Sequence, residues 1–246
     1  MQEQWKVMKG AEPFKVEGMN AGVLVSHGFT GTTQSMHPLG SAFAEAGYTV
    51  YGARLEGHGT HYEDMEQSTY EDWIASIEEG YTWLKERCDY VFIAGLSMGG
   101  TLALYMAEHH PEINGIITIN AAVDVPAMEP VRHMEERFID PIGSDIKKPD
   151  VTELAYEKTP VASVGQLLDL MKKVKLNLPR VECPVLLFVS KDDHVVPPEN
   201  SQLIHDQISS TDKTLVQLEN SYHVATLDHD QQKIIEQSVT FMKHHI

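Results

Sequence analysis

The sequence is poor in cysteine, poor in basic residues and free of long apolar runs. Its two cysteines, Cys88 and Cys183, lie far apart and outside any C-x-x-C or Cys/His pattern. That argues against a disulfide framework and against a cysteine-rich metal module, and two free thiols suit a reducing compartment. Lys and Arg number 19 against 36 Asp and Glu, a formal net charge of −17. Such a surface repels DNA, RNA and anionic lipid head groups, so no nucleic-acid partner is expected and a small neutral substrate is. No apolar stretch approaches the ~20 residues that span a bilayer, so no transmembrane anchor is expected. The opening MQEQWKVMKGAEPF lacks the apolar core of a secretory signal, which makes the cytoplasm the expected location.

What is present reads as one large α/β unit. The chain has 246 residues, 42% of them hydrophobic and 22% charged, which is globular composition. Short apolar runs predict strands at Ala21–Ser26, Tyr48–Ala53, Tyr90–Ala94, Gly115–Ile119 and Val185–Ser190, with a weaker one at Thr214–Leu218. They are continuous runs, as in strands covered on both faces. Helical spacing predicts helices at Pro38–Ala46, stopping at Gly47, and at Thr69–Lys85, where Trp73, Ile77, Tyr81 and Leu84 form one stripe. Gly99–His110 and Gln231–Lys243 complete the alternation. The fold class is therefore α/β, a mostly parallel sheet with helices on both faces. From Val125 to Pro179 no strand is predicted, and Val151–Tyr156 and Val164–Val174 look helical. A connection that long is an insertion, so residues 125–179 are expected to form a cap over a core of 1–124 and 180–246.

Gly95-Leu96-Ser97-Met98-Gly99 matches G-x-S-x-G between a predicted strand and a predicted helix. In that setting a sharp turn holds the serine in a strained conformation and exposes its hydroxyl at a helix N-terminus. Ser97 is the expected nucleophile. A serine hydroxyl needs a base to take its proton. Of the 13 histidines, His223 lies between the last strand and the last helix, where the base belongs. His58 and His61 form too small a set for a metal site, so no metal is expected. The base needs a carboxylate. Asp192 and Asp193 both follow the strand VLLFVS and point in different directions, and Asp124 is a third candidate. Serine, then aspartate, then histidine is the α/β-hydrolase order. The HGFTG turn can aim the Phe29 amide at the carbonyl oxygen of a substrate, and Met98, next to the nucleophile, supplies the second amide of an oxyanion hole. His27 is expected to brace that loop.

These motifs, with RLEGHGTHYEDM, GLSMGG, INAAVD, ELAYEKTP, DDHVVPP and NSYHVATLD, run from one end of the chain to the other. The chain resembles the α/β-hydrolases, and among them the bacillary monoacylglycerol lipases and the related short-chain carboxylesterases. The resemblance implies the α/β-hydrolase fold with an inserted cap, and a triad of Ser97, Asp193 and His223. It implies oxyanion amides at Phe29 and Met98, and no cofactor. It also implies a polar pocket for glycerol, with Glu157 as the cap carboxylate that bonds a glycerol hydroxyl and Ile146 lining the same pocket. Met128–Asp140 is more charged than a lid resting on lipid calls for.

The expected reaction is hydrolysis of monoacylglycerols to glycerol and fatty acid, with a general short-chain carboxylesterase as the alternative. Dehalogenase and epoxide hydrolase chemistry on this fold would want Asp at position 97. A binding protein without turnover would lack a member of the triad. An acyltransferase or C–C bond hydrolase with the same triad stays open.

Overall fold

The structure is a computed structural model and describes residues 5–142 and 144–246. A seven-stranded sheet forms the centre, in the order β1-β3-β2-β4-β5-β8-β9. The strands are β1 (Phe14–Val16), β2 (Ala21–Ser26), β3 (Thr49–Ala53), β4 (Tyr90–Leu96), β5 (Gly115–Ile119), β8 (Val185–Ser190) and β9 (Lys213–Leu218). All neighbours pair parallel except β1, which runs antiparallel to β3 with Lys15 opposite Tyr51. Between them run α1 (His37–Glu45), α2 (Tyr62–Met65), α3 (Tyr70–Lys85), α4 (Met98–His109), α5 (Val161–Asn177), α6 (Glu199–Gln207) and α7 (Gln231–His244). Two short strands between β5 and β8, β6 (Phe138–Ile139) and β7 (Thr159–Pro160), pair antiparallel with each other.

The side-chain alternation of the strands divides the core into two layers. Val23 and Val25 of β2 join Phe92 of β4, Leu39 and Phe43 of α1, and Ile234 and Met242 of α7 on one face. Leu24 and Ile93 pack with Trp73 and Ile77 of α3, Leu102 of α4, Leu167 and Met171 of α5, and Ile204 of α6 on the other. Both faces are covered, which is why β2, β4 and β8 are buried almost throughout and read as unbroken apolar runs. α3 starts on a capping box: the Thr69 hydroxyl accepts from the Asp72 amide and the Asp72 carboxylate accepts from the Thr69 amide.

The six predicted strands lie where expected, and β1, β6 and β7 are additions. The insertion departs from the prediction in one further respect. Val151–Tyr156 is not helical. The loop at 30–34 takes its backbone groups instead: the Leu154 amide donates to Gln34 Oε1 at 3.0 Å, the Tyr156 amide to the Thr30 carbonyl at 3.3 Å, and Gln34 Nε2 to the Thr152 carbonyl at 3.3 Å. The two arginines of Met128–Asp140 pair with acids outside the segment. Arg132 pairs with Asp169 of α5 at 3.0 Å and Arg137 with Glu66, just past α2, at 2.6 Å. No helix among the described residues is long and apolar enough to cross a membrane.

Candidate active site

Ser97 sits between β4 and α4 with φ 55° and ψ −119°, in the left-handed half of backbone space. A non-glycine residue there is strained by ~1–3 kcal/mol and needs its surroundings to hold it. The Ser97 amide donates to the Ile119 carbonyl of β5 at 2.9 Å, and the Ser97 carbonyl accepts from Gly100 at 2.9 Å. The flanking glycines allow the turn. A Cβ on Gly95 would stand 2.0 Å from the Gly99 carbonyl oxygen, and one on Gly99 would stand 2.3 Å from that of Ser26. Met98 opens α4, so its N–H has no partner within the helix. The HGFTG loop crosses directly over the serine: a Cβ at Gly28 would lie 3.1 Å from Ser97 Cβ.

His223 Nδ1 and Asp193 Oδ2 are 2.7 Å apart, with both side chains buried. The other Asp193 oxygen accepts the amides of Val195 and Val196 at 2.9 and 2.8 Å, which fixes the carboxylate as an acceptor toward the imidazole. Of the three carboxylates weighed from the sequence, Asp193 is the one bonded to His223. Asp192 is exposed, and Asp124 pairs with Lys175 at 2.6 Å. Ser97 and His223 line one cavity with Phe29 and Thr30 of the loop. The rest of its wall is apolar apart from one carboxyl, with Val125, Met128, Ile142, Leu167 and Met171 coming from residues 125–179.

His27 braces the loop. Its Nε2 accepts the Leu55 amide at 3.3 Å, so Nδ1 carries the proton and donates to the Gly28 carbonyl at 2.9 Å. Full burial pushes its pKa down to about 4, and the ring is neutral. His58 and His61 are engaged apart from each other. His58 Nδ1 lies 3.1 Å from the Glu56 carbonyl, and burial pushes its pKa down to about 3. His61 accepts the Glu63 amide at the start of α2.

Two expected pocket residues lie elsewhere. Glu157 is exposed and off the cavity wall, and Ile146 packs instead against the core layer of α1 and α7. The cause is the anchoring of Tyr156. Its hydroxyl donates to the Gly57 carbonyl at 2.7 Å and accepts the Thr60 amide at 2.9 Å. With that ring buried, the next residue turns outward. The carboxyl and the isoleucine that do line the cavity stand four residues earlier in each case, Glu153 and Ile142. Burial lifts the Glu153 pKa from 4.5 to about 7, against the opposing pull of His223.

The sequence reading also missed Asn120, just after β5. It holds φ 49° and is buried. Its Oδ1 accepts the Ser190 amide at 2.7 Å, and its Nδ2 donates to the His223 carbonyl at 2.7 Å and to Ser190 Oγ at 3.0 Å. It joins the ends of β5 and β8 to the His223 loop. An asparagine after a strand carries no signal in a single sequence.

A family profile described as "Serine aminopeptidase, S33" matches residues 18–153 and 143–230. The chain belongs to this family. Within it, the chain is 60% identical over 248 residues to a thermostable monoacylglycerol lipase of Bacillus sp. (strain H-257), covering 100% of this chain and 99% of the relative. It is 29% identical over 244 residues to a carboxylesterase of Bacillus subtilis (strain 168), covering 94% and 96%. A solved structure from work on LipS and LipT, two metagenome-derived lipolytic enzymes, superposes with a TM-score of 0.95 at 48% identity, over 98% of this chain and 100% of that one. The monoacylglycerol lipase of Paleococcus ferrophilus has a TM-score of 0.79 at 19% identity, over 96% and 99%, and shares the fold. The fold is the α/β-hydrolase fold.

Proposed function

We propose that the protein hydrolyses monoacylglycerols to glycerol and free fatty acid through an acyl-enzyme on Ser97. The observation that carries this is the cavity. It holds Ser97, His223, Thr30 and one carboxyl, Glu153, in an otherwise apolar wall. A substrate with one acyl chain and one small polar head matches that lining. The 60% identity to a monoacylglycerol lipase over the full chain supports the same reading.

In this reading Ser97 Oγ attacks the ester carbonyl while His223 Nε2 takes its proton, and Asp193 holds the Nδ1 proton and stabilises the imidazolium. The amides of Phe29 and Met98 bind the oxyanion, each contributing on the order of 3 kcal/mol in the transition state. His223 returns the proton to the leaving glycerol oxygen. Water then repeats the cycle on the acyl-enzyme and releases the fatty acid. No metal or organic cofactor enters. Residues 125–179 act as a cap, and Glu153 bonds a glycerol hydroxyl. Two buried free thiols, Cys88 and Cys183, fit a reducing compartment, and we place the protein in the cytoplasm on that basis.

Initial rates on 1-lauroylglycerol, dilaurin and trilaurin test the selectivity. The monoglyceride is expected to be the fastest, and equal rates on all three would sink it. The relation to the Bacillus subtilis carboxylesterase favours a second reading, a general short-chain esterase. Glu153→Gln separates the two: the monoacylglycerol reading expects a larger loss on 1-lauroylglycerol than on methyl laurate, and equal losses favour the esterase.

A further inference from the structure

Asp193 and His223 stand on separate loops, after β8 and after β9. A single side-chain bond between two loops aligns the imidazole only if both backbones are held. One carboxylate in the insertion reaches both. Asp145 lies between β6 and β7, with its side chain 16% exposed. Its Oδ2 accepts the His194 amide at 3.1 Å and the His223 amide at 3.1 Å. The first amide is next in the chain to the acid, and the second belongs to the base itself. Its Oδ1 lies 2.9 Å from His194 Nδ1, and that bond and the Asp145 charge raise the His194 pKa above its ordinary value. The Asp145 carbonyl accepts the Val224 amide at 3.0 Å.

A second carboxylate closes the same seam from the core side. Asp228 accepts the Tyr222 amide at 2.9 Å and reaches back to the amides of Lys147 and Lys148 at 2.7 and 2.9 Å. Residues 145–148 are therefore sewn to the His223 loop in both directions. Hydrogen bonds to an ionised acceptor are the strong ones, and here they end on backbone groups, so they set loop position and not merely side-chain rotamers.

We propose that Asp145 is a positioning residue for the triad: it gathers the amides of His194 and His223 on one oxygen, sets the Asp193–His223 spacing, and makes alignment of the base depend on the docking of residues 145–148. This rests on the triad reading above. Asp145 touches neither the ester nor Ser97. Its effect reaches the reaction through the orientation of His223, where a displacement of about 1 Å costs about 10²-fold in rate.

The test measures kcat and KM on 1-lauroylglycerol and on p-nitrophenyl acetate, whose acetyl group makes little use of the cavity. Asp145→Ala is expected to lower kcat about 10²-fold on both esters while KM moves less than about threefold. Asp145→Glu keeps the charge, displaces both oxygens by one methylene and loses about tenfold; it carries the test if the alanine variant does not fold. Asp145→Asn retains an oxygen able to accept both amides and recovers kcat to within about fivefold of wild type. His194→Ala leaves both amide bonds and stays within about threefold. The downfield proton NMR signal of His223 Nδ1–H is expected in the wild type and broadened in the alanine and glutamate variants. A merely architectural residue would lower Tm and leave kcat of the folded enzyme and that signal alone. Folded Asp145→Ala or Asp145→Glu with kcat within about twofold of wild type, or with an unchanged signal, overturns the inference. Ser97→Ala keeps the two readings apart. If it is inactive and the Asp145 variants are normal, only the positioning role falls; if it turns over esters, both fall.

Discussion

A Cβ at Gly31 would lie 2.6 Å from Glu153 Oε1, so the loop that presents the Phe29 amide is bare where the buried carboxyl enters. Gly31→Ala forces the two apart. If Glu153 bonds the glycerol head as proposed, the expected result is a fall in kcat/KM of about tenfold on 1-lauroylglycerol and less than about threefold on methyl laurate, because only the glycerol ester loses a partner. Steady-state kinetics on the two esters check it.

The strain at Ser97 predicts a gain in stability on removing its side chain. Ser97→Gly frees the φ of 55° and is expected to raise Tm by about 2–4 °C, for ~1 kcal/mol of relieved strain. Ser97→Ala keeps a Cβ in that conformation and gains nothing of this kind. Both variants are expected to lose p-nitrophenol release from an ester. Scanning calorimetry beside that assay separates strain from chemistry.

Asn120→Asp keeps the shape of a buried side chain and removes its donor. The His223 carbonyl loses its Asn120 donor, Ser190 Oγ keeps only its bond to the Tyr222 carbonyl, and a carboxylate oxygen faces the His223 carbonyl. The fold is expected to lose about 1–3 kcal/mol, and kcat to fall about tenfold with KM nearly unchanged. Urea unfolding and kinetics on one ester decide it.

Glu108 of α4 is buried, and neither carboxyl oxygen has a hydrogen-bond partner among the described residues. Burial lifts its pKa to about 8, against the weaker opposing pull of Arg180 and Lys173. Between pH 4.5 and about 8 the unfolded chain therefore releases a proton that the folded chain keeps, and stability falls as pH rises. Glu108→Met removes that dependence. The Tm difference between variant and wild type is expected to be smallest below pH 4.5, to grow up to about pH 8, and to level off above it. A difference that is flat across that range would contradict the assignment.

The layered architecture was legible because its signals are local. Ala21–Ser26 carries no polar residue before Ser26 and pairs on both sides, and its strand has the predicted bounds. Ser97 was legible because its turn demands glycine at fixed spacing. β1 was not, because three residues at a sheet edge, with one face open, leave no periodicity to count. Val151–Tyr156 misleads because its apolar spacing suggests a helix, whereas the amides of Leu154 and Tyr156 bond to residues more than a hundred positions earlier. The Tyr156 hydroxyl adds bonds to Gly57 and Thr60, and in this arrangement Glu153, not Glu157, lines the cavity. Asn120, Asp145 and Asp228 act by bonding backbone amides and carbonyls of distant loops, and residue type alone does not mark such roles.

The seam between residues 145–148 and the His223 loop bears on how this protein can change. Insertions between β5 and β8 look like interchangeable parts that could be traded to suit a new substrate. Here a transplant cut at 125 and 179 would carry away the Asp145 carboxylate and the amides that Asp228 holds. A working chimera would keep 145–148 with the recipient and exchange the stretches on either side. Selection for new esters has room at Met128 and Met171 on the cavity wall, and little at the stitch between them.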